Sequence, residues 1–125
     1  MKGPHVPLNR LVLYAQDVDE TAQFYEKHFG FKAKRLPGDK IVELVATGGG
    51  ANLMLHPAIK GQRPGQSSIK LVFDVEDVEA FCRRCAEEGL EFGPIHKADG
   101  YLSANAKDPC QNSISVSSRA FRKDG

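Results

Sequence analysis

The residues from Arg10 to Phe31 are echoed sixty positions later by those from Lys70 to Phe92: Leu11 answers to Leu71, Val12 to Val72, Asp17 to Asp77 and Val18 to Val78, with Leu13 opposite Phe73. A chain that repeats itself on this scale must build one local pattern twice. Two copies are too few for a solenoid, which needs more units to bury a core, so the repeat predicts one domain made of paired modules.

Each copy opens on an apolar run of strand length and reaches an Asp able to accept backbone N–H groups at a helix start. Glu20, three residues after Asp17, adds the second half of a capping box. Val18, Ala22, Tyr25 and Phe29 then fall on one helical face, and Val78, Cys82 and Cys85, with Phe81 beside them, take the same phase in the second copy. Gly30 and Gly89 are placed to end the two helices in a left-handed cap, the second helix one residue shorter than the first.

Around this frame the first half reads as strands Leu8 to Ala15, Phe31 to Arg35, Ile41 to Ala46 and Ala51 to His56, with Pro37-Gly38-Asp39 and Gly48-Gly49-Gly50 as turns. The second half reads as strand Ile69 to Val75, helix Val78 to Glu88, and strands Glu91 to His96, Tyr101 to Asn105 and Ser113 to Ser117. The predicted class is α+β: two βαβββ modules, 8–56 and 69–118, joined by a Pro/Gly-rich linker at 57–68. One helix covers one sheet face, so the other face of each module is left for water, a partner or a ligand.

Period two sorts the side chains. Leu11, Leu13, Ala15, Leu53, Leu55, Leu71, Phe73, Val75, Ile114 and Val116 are expected beneath the helices. The opposite faces carry Arg10, Val12, Tyr14, Asn52, Met54 and His56 in one half, and Lys70, Val72, Asp74, Ser113, Ser115 and Ser117 in the other. A polar lining of this kind suits a small-molecule site.

Composition narrows the partners. Charges nearly cancel at +1 over 125 residues, and no basic block interleaved with aromatics points to nucleic acid. The amino end has no apolar signal core and no run long enough to span a bilayer, so the expectation is a cytoplasmic protein with no membrane contact. Three cysteines argue against a disulfide framework. Cys82-Arg-Arg-Cys85 has redox spacing, but it lies inside a predicted helix with no second pair to close a zinc site, and both cysteines read as core residues. Cys110, in a predicted turn, is expected to be exposed.

Three stretches carry a family resemblance: Tyr14-Ala15-Gln16-Asp17-Val18 through Phe29-Gly30-Phe31, Phe73-Asp74-Val75-Glu76-Asp77-Val78 through Gly89-Leu90-Glu91-Phe92, and Lys107-Asp108-Pro109-Cys110-Gln111-Asn112. The chain resembles the vicinal-oxygen-chelate superfamily, which includes glyoxalase I, bleomycin- and fosfomycin-resistance proteins and extradiol dioxygenases. The resemblance implies that the two modules form a curved mixed sheet around a cleft, in the glyoxalase/bleomycin-resistance fold, and that the protein is a homodimer.

The resemblance also implies four metal-ligand positions, and here they hold Arg10, Met54, Lys70 and Ser115. Two cations, a thioether and a hydroxyl do not make a divalent-metal site, so no metal or other cofactor is expected. A relocated site would have to use His56, Glu43, Asp74 or His96. The implied cleft is lined by Arg10, Tyr14, Met54, His56, Lys70, Tyr101 and Ser115, and its positive charge is met either by Asp74 and Glu43 or by an anionic ligand. The functional expectation is a metal-free protein that binds a small organic molecule. The alternative is a lyase, isomerase or ring-cleaving dioxygenase of the same superfamily.

Overall fold

The computed structural model describes residues 7–66 and 68–123; Ser67 of the expected linker and residues 1–6 lie outside them. The chain divides into two compact units, Met1–Gln62 and Arg63–Gly125. Unit one runs β1 (Arg10–Ala15), α1 (Val18–Phe29), β2 (Lys32–Arg35), β3 (Val42–Val45) and β4 (Asn52–Pro57). Unit two runs β5 (Lys70–Asp74), α2 (Val78–Glu87), β6 (His96–Ala98), β7 (Tyr101–Lys107) and β8 (Ser113–Ser117), followed by one turn of 3-10 helix at Arg119–Phe121.

Each unit holds a four-stranded mixed sheet, ordered β1-β4-β3-β2 in the first and β5-β8-β7-β6 in the second. The helix in each unit makes the crossover that lets the first strand lie parallel to the last, β1 on β4 and β5 on β8, and hairpins make the other pairings antiparallel. This is the βαβββ pattern expected from the repeat, built twice with the same topology.

The caps fall where the repeated Asp residues predict. Asp17 Oδ1 accepts from the Glu20 amide and Asp77 Oδ1 from the Ala80 amide, both at 3.0 Å. Gly30 closes α1 at φ 74°, and Gly89 follows α2 at φ 96°. The buried stripe of α1 is rotated slightly from the expected one: Thr21, Ala22, Tyr25 and His28 are buried, while Val18 and Phe29 are only half-buried. Thr21 can occupy the core because its hydroxyl donates to the Asp17 carbonyl at 2.8 Å, which removes the cost of burying it.

Beneath the helices the alternation holds in part. Val42, Leu44, Leu53 and Leu55 are buried in unit one, and Ala104, Ile114 and Val116 in unit two, while Leu11, Leu13, Leu71, Phe73 and Val75 are half-buried. In β8 the alternation fails, because Ser115 and Ser117, expected on the opposite face, are buried as well. In α2, Val78 and Cys85 are buried and Cys82 half-buried, and burial pushes both thiols above their ordinary value. The burial of Cys85 and half-burial of Cys82 agree with their reading as packing groups.

Two local expectations are corrected. The strand expected at Glu91 to His96 begins only at His96. Gly93 donates to the Asn105 carbonyl at 2.8 Å, and the following Pro94 has no N–H with which to extend a ladder. Cys110 is buried, not exposed. It is drawn in by Asp108, itself only 2% exposed, whose Oδ1 accepts from the Cys110 and Asn112 amides at 2.9 and 2.8 Å and whose Oδ2 accepts from Asn112 Nδ2 at 2.9 Å. Gln111 completes this turn at φ 67°, with its Cβ against Gly65, where an added methyl would come within 3.3 Å.

Candidate functional site

Strand register places the candidate side chains, because residues paired across a ladder project to the same side of the sheet. On the helix-free face of unit one, Arg10 lies opposite Asn52, Val12 opposite Met54, and Tyr14 opposite His56, while β3 adds Glu43 beside Met54. Arg10, Tyr14, Met54 and His56 therefore form one surface. Tyr14 and His56 are in ring contact, centroids 5.3 Å apart and planes tilted by 58°. Tyr14 remains 42% exposed and Val12 49%, so aromatic and aliphatic surface on this face is left uncovered by the chain.

His56 Nδ1 lies 2.8 Å from the Pro57 carbonyl oxygen. A carbonyl can only accept, so Nδ1 carries the proton in that bond and Nε2 is the nitrogen left to meet a ligand. Arg10 is held by Glu43, Nε to Oε2 at 3.6 Å, although more than half of its side chain is exposed. Of the two sources of negative charge considered for Arg10, the structure shows an internal one.

The helix-free face of unit two is built by the same rule. Lys70, Val72 and Asp74 pair with Ser113, Ser115 and Ser117, and β7 contributes Tyr101, Ser103, Asn105 and Lys107. Lys70 is exposed and donates to Asn105 Oδ1 at 3.1 Å, while Lys107 donates to Ser113 Oγ at 2.9 Å. Ser115 is buried, and its hydroxyl donates to the Ala104 carbonyl at 3.0 Å, so it serves the sheet and is not open lining. The phenol of Tyr101 accepts from Arg119 Nη1 at 3.0 Å. Sequence reading missed Arg119, Arg122, Asn105 and Lys107. The first two follow β8 three residues apart, a spacing that places both on one side of a helical turn.

None of the four positions that the resemblance implies for metal ligands, two in each unit, carries a fitting donor. Arg10 and Lys70 are cations, Met54 offers a thioether, and the Ser115 hydroxyl is committed to a backbone oxygen. Among the described residues, no group of three or more His, Cys, Asp or Glu side chains is placed to hold an ion elsewhere. No helix among them is long and apolar enough to cross a membrane.

Solved structures share this architecture. TnmS3, an antibiotic binding protein from Streptomyces sp. CB03234, is 24% identical over 93% of this chain and 96% of its own, with a TM-score of 0.73. A lactoylglutathione lyase from Agrobacterium tumefaciens is 23% identical over 92% and 95%, with a TM-score of 0.70. A protein from the mobile metagenome of V. Pseudocholerae is 29% identical over 94% and 95%, with a TM-score of 0.69. No curated protein sequence matches. The family model described as Glyoxalase/Bleomycin resistance protein/Dioxygenase superfamily matches residues 7–116, and with that match over nearly the whole chain the protein belongs to this superfamily.

Proposed function

We propose that this is a metal-free, small-molecule-binding member of the superfamily, and that the ligand lies on the helix-free face of unit one against Tyr14 and His56. The observation that carries the reading is the ring contact between exposed Tyr14 and half-buried His56, flanked by Val12 and Met54, with Nε2 of the imidazole as a polar anchor. Such a mixture of flat apolar surface and a few directed polar atoms is what small organic ligands use. The ligand class is a compact molecule with a planar unsaturated portion. The antibiotic-binding relative supports a binding role. The lyase relative belongs to a chemistry in which a metal supplies the electrophile, and the donor set here does not fit a metal.

The test is a thermal-shift and calorimetric screen of small aromatic acids and amides against the intact protein, run beside a hemithioacetal turnover assay with Ni(II) or Zn(II). At least one compound is expected to bind saturably, and Tyr14→Ala to weaken it by about 2- to 12-fold, the range of one aromatic contact. Unchanged affinity in Tyr14→Ala, or metal-dependent turnover by the native chain, overturns the reading.

We further propose that the protein is a homodimer. The support is the superfamily resemblance together with the exposed apolar residue Val72 on the outer strand β5. Light scattering in solution is expected to give twice the chain mass of 13.7 kDa, and a monomer mass at micromolar concentration rejects the dimer.

A further inference from the structure

After β8 the chain folds back over the start of β7. The Leu102 amide donates to Ser118 Oγ, the Ser118 amide to the Leu102 carbonyl, and the Arg119 amide to Ser117 Oγ. Within the single turn of 3-10 helix the Phe121 amide donates to Ser118 and the Arg122 amide to Arg119. These bonds fix a backbone that brings two arginines to one ring. The guanidinium carbon of Arg119 lies 5.2 Å from the Tyr101 centroid, and that of Arg122 lies 5.7 Å from the same point.

Both side chains are positioned, not merely nearby. Arg119 Nη1 donates to the Tyr101 phenol at 3.0 Å, and Arg122 Nη1 reaches the Asp99 carbonyl at 3.5 Å. The stem of Arg122 crosses Gly100, whose φ is +82°; a Cβ there would meet Arg122 Cγ at 3.0 Å and Cδ at 3.1 Å. Glycine therefore serves twice at this turn, allowing its geometry and leaving room for the arginine.

The partners that hold these guanidinium groups are neutral oxygens and a π face. The ion pairs found among the described residues, Arg10 with Glu43 and Arg35 with Asp19, involve neither arginine, and Asp99 contributes its backbone carbonyl. Asp124 lies outside the described residues. Two like charges held at one ring, with donors to spare and no carboxylate among the described residues paired to either, are stabilised by an added anion. Arginine offers planar paired donors that match phosphate oxygens.

We propose that Arg119 and Arg122, braced on Tyr101, form a binding site for a phosphate monoester group. The site belongs to unit two alone and does not depend on the ligand assigned to unit one. It would accept the phosphate of a small phosphorylated metabolite or free inorganic phosphate.

The experiment titrates the full-length protein with inorganic phosphate, phenyl phosphate and acetate at low ionic strength, following phosphorus NMR shifts and calorimetric heats. Saturable phosphate binding is expected in the native chain. It should fall by about tenfold or more in Arg119→Gln/Arg122→Gln, as the loss of charge-assisted bonds implies. Arg122→Lys, which keeps the charge and loses the fork, should bind between the two. Tighter binding of phenyl phosphate than of phosphate assigns the site to an organic phosphate, and equal binding assigns it to the free ion. Absence of saturation in the native chain, undiminished binding in the double variant, or acetate binding as tightly as phosphate overturns the proposal. Circular dichroism of the double variant, whose substitutions lie outside the buried core, is expected to match the native spectrum. Tyr14→Ala is expected to leave phosphate binding unchanged, which separates this site from the one on the first unit.

Discussion

Replacing Asp108 by alanine is expected to remove about 3–5 kcal/mol of stability. Three N–H groups converge on its carboxylate: the amides of Cys110 and Asn112 and the side-chain nitrogen of Asn112. A hydrogen bond to a charged acceptor contributes about 1.5–3 kcal/mol, and bonds in one network do not add fully. The residue is almost wholly buried, so truncation leaves donors that water reaches poorly. Asp108→Asn should lose less, because one oxygen remains to accept while the amide nitrogen opposes the Asn112 donor. Urea denaturation of the three proteins measures both differences, and a loss under about 1 kcal/mol in the alanine variant would refute this account of the turn.

Tyr25→Ala is expected to cost a similar amount, about 3–5 kcal/mol, by a different mechanism. Tyr25 has no exposed surface, and its ring lies against Phe24, Phe29 and Phe31 at centroid distances of 5.1, 6.0 and 6.0 Å. Removing it deletes the largest buried side chain of α1 and leaves a cavity between helix and sheet that a twelve-residue helix cannot close by shifting. Phe24→Ala, at a half-buried position one residue earlier, is the comparison and should cost clearly less. Equal losses at the two positions would place the core elsewhere on the helix. Thermal and urea unfolding of both variants decides it.

Much of the fold was legible because local signals agreed with each other. The repeat at sixty, the two Asp caps and the glycines after each helix are short-range features, and the structure uses all of them. The course of Glu91 to Ile95 was not legible in the same way. The element order of the first half suggested a strand there, and Pro94 interrupts it by withholding a donor from the ladder. Cys110 was misjudged because turn composition predicts exposure, whereas Asp108 pulls its turn inward through bonds that leave no periodic trace.

The candidate side chains could be assigned to faces by period two, since Arg10, Tyr14, Met54 and His56 do share one. What each does with its polar atoms could not be read that way. Glu43 is brought to Arg10, and Ala104 to the Ser115 hydroxyl, by pairings between strands whose register the sequence leaves open. Arg119 and Arg122 escaped notice because they follow the last predicted element, and what gives them meaning is a tyrosine eighteen residues before the first of them.

The outermost hairpin strand of unit one has a further consequence. β2 is only four residues long and alternates Lys32 and Lys34 with Ala33 and Arg35, so three of the side chains along that rim are cationic. A strand arriving from another molecule would have to bury that charge to gain backbone hydrogen bonds, which is how natural sheets discourage runaway stacking. Exchanging both lysines for valine would turn the rim into a template for fibrous aggregates while leaving the folded core untouched.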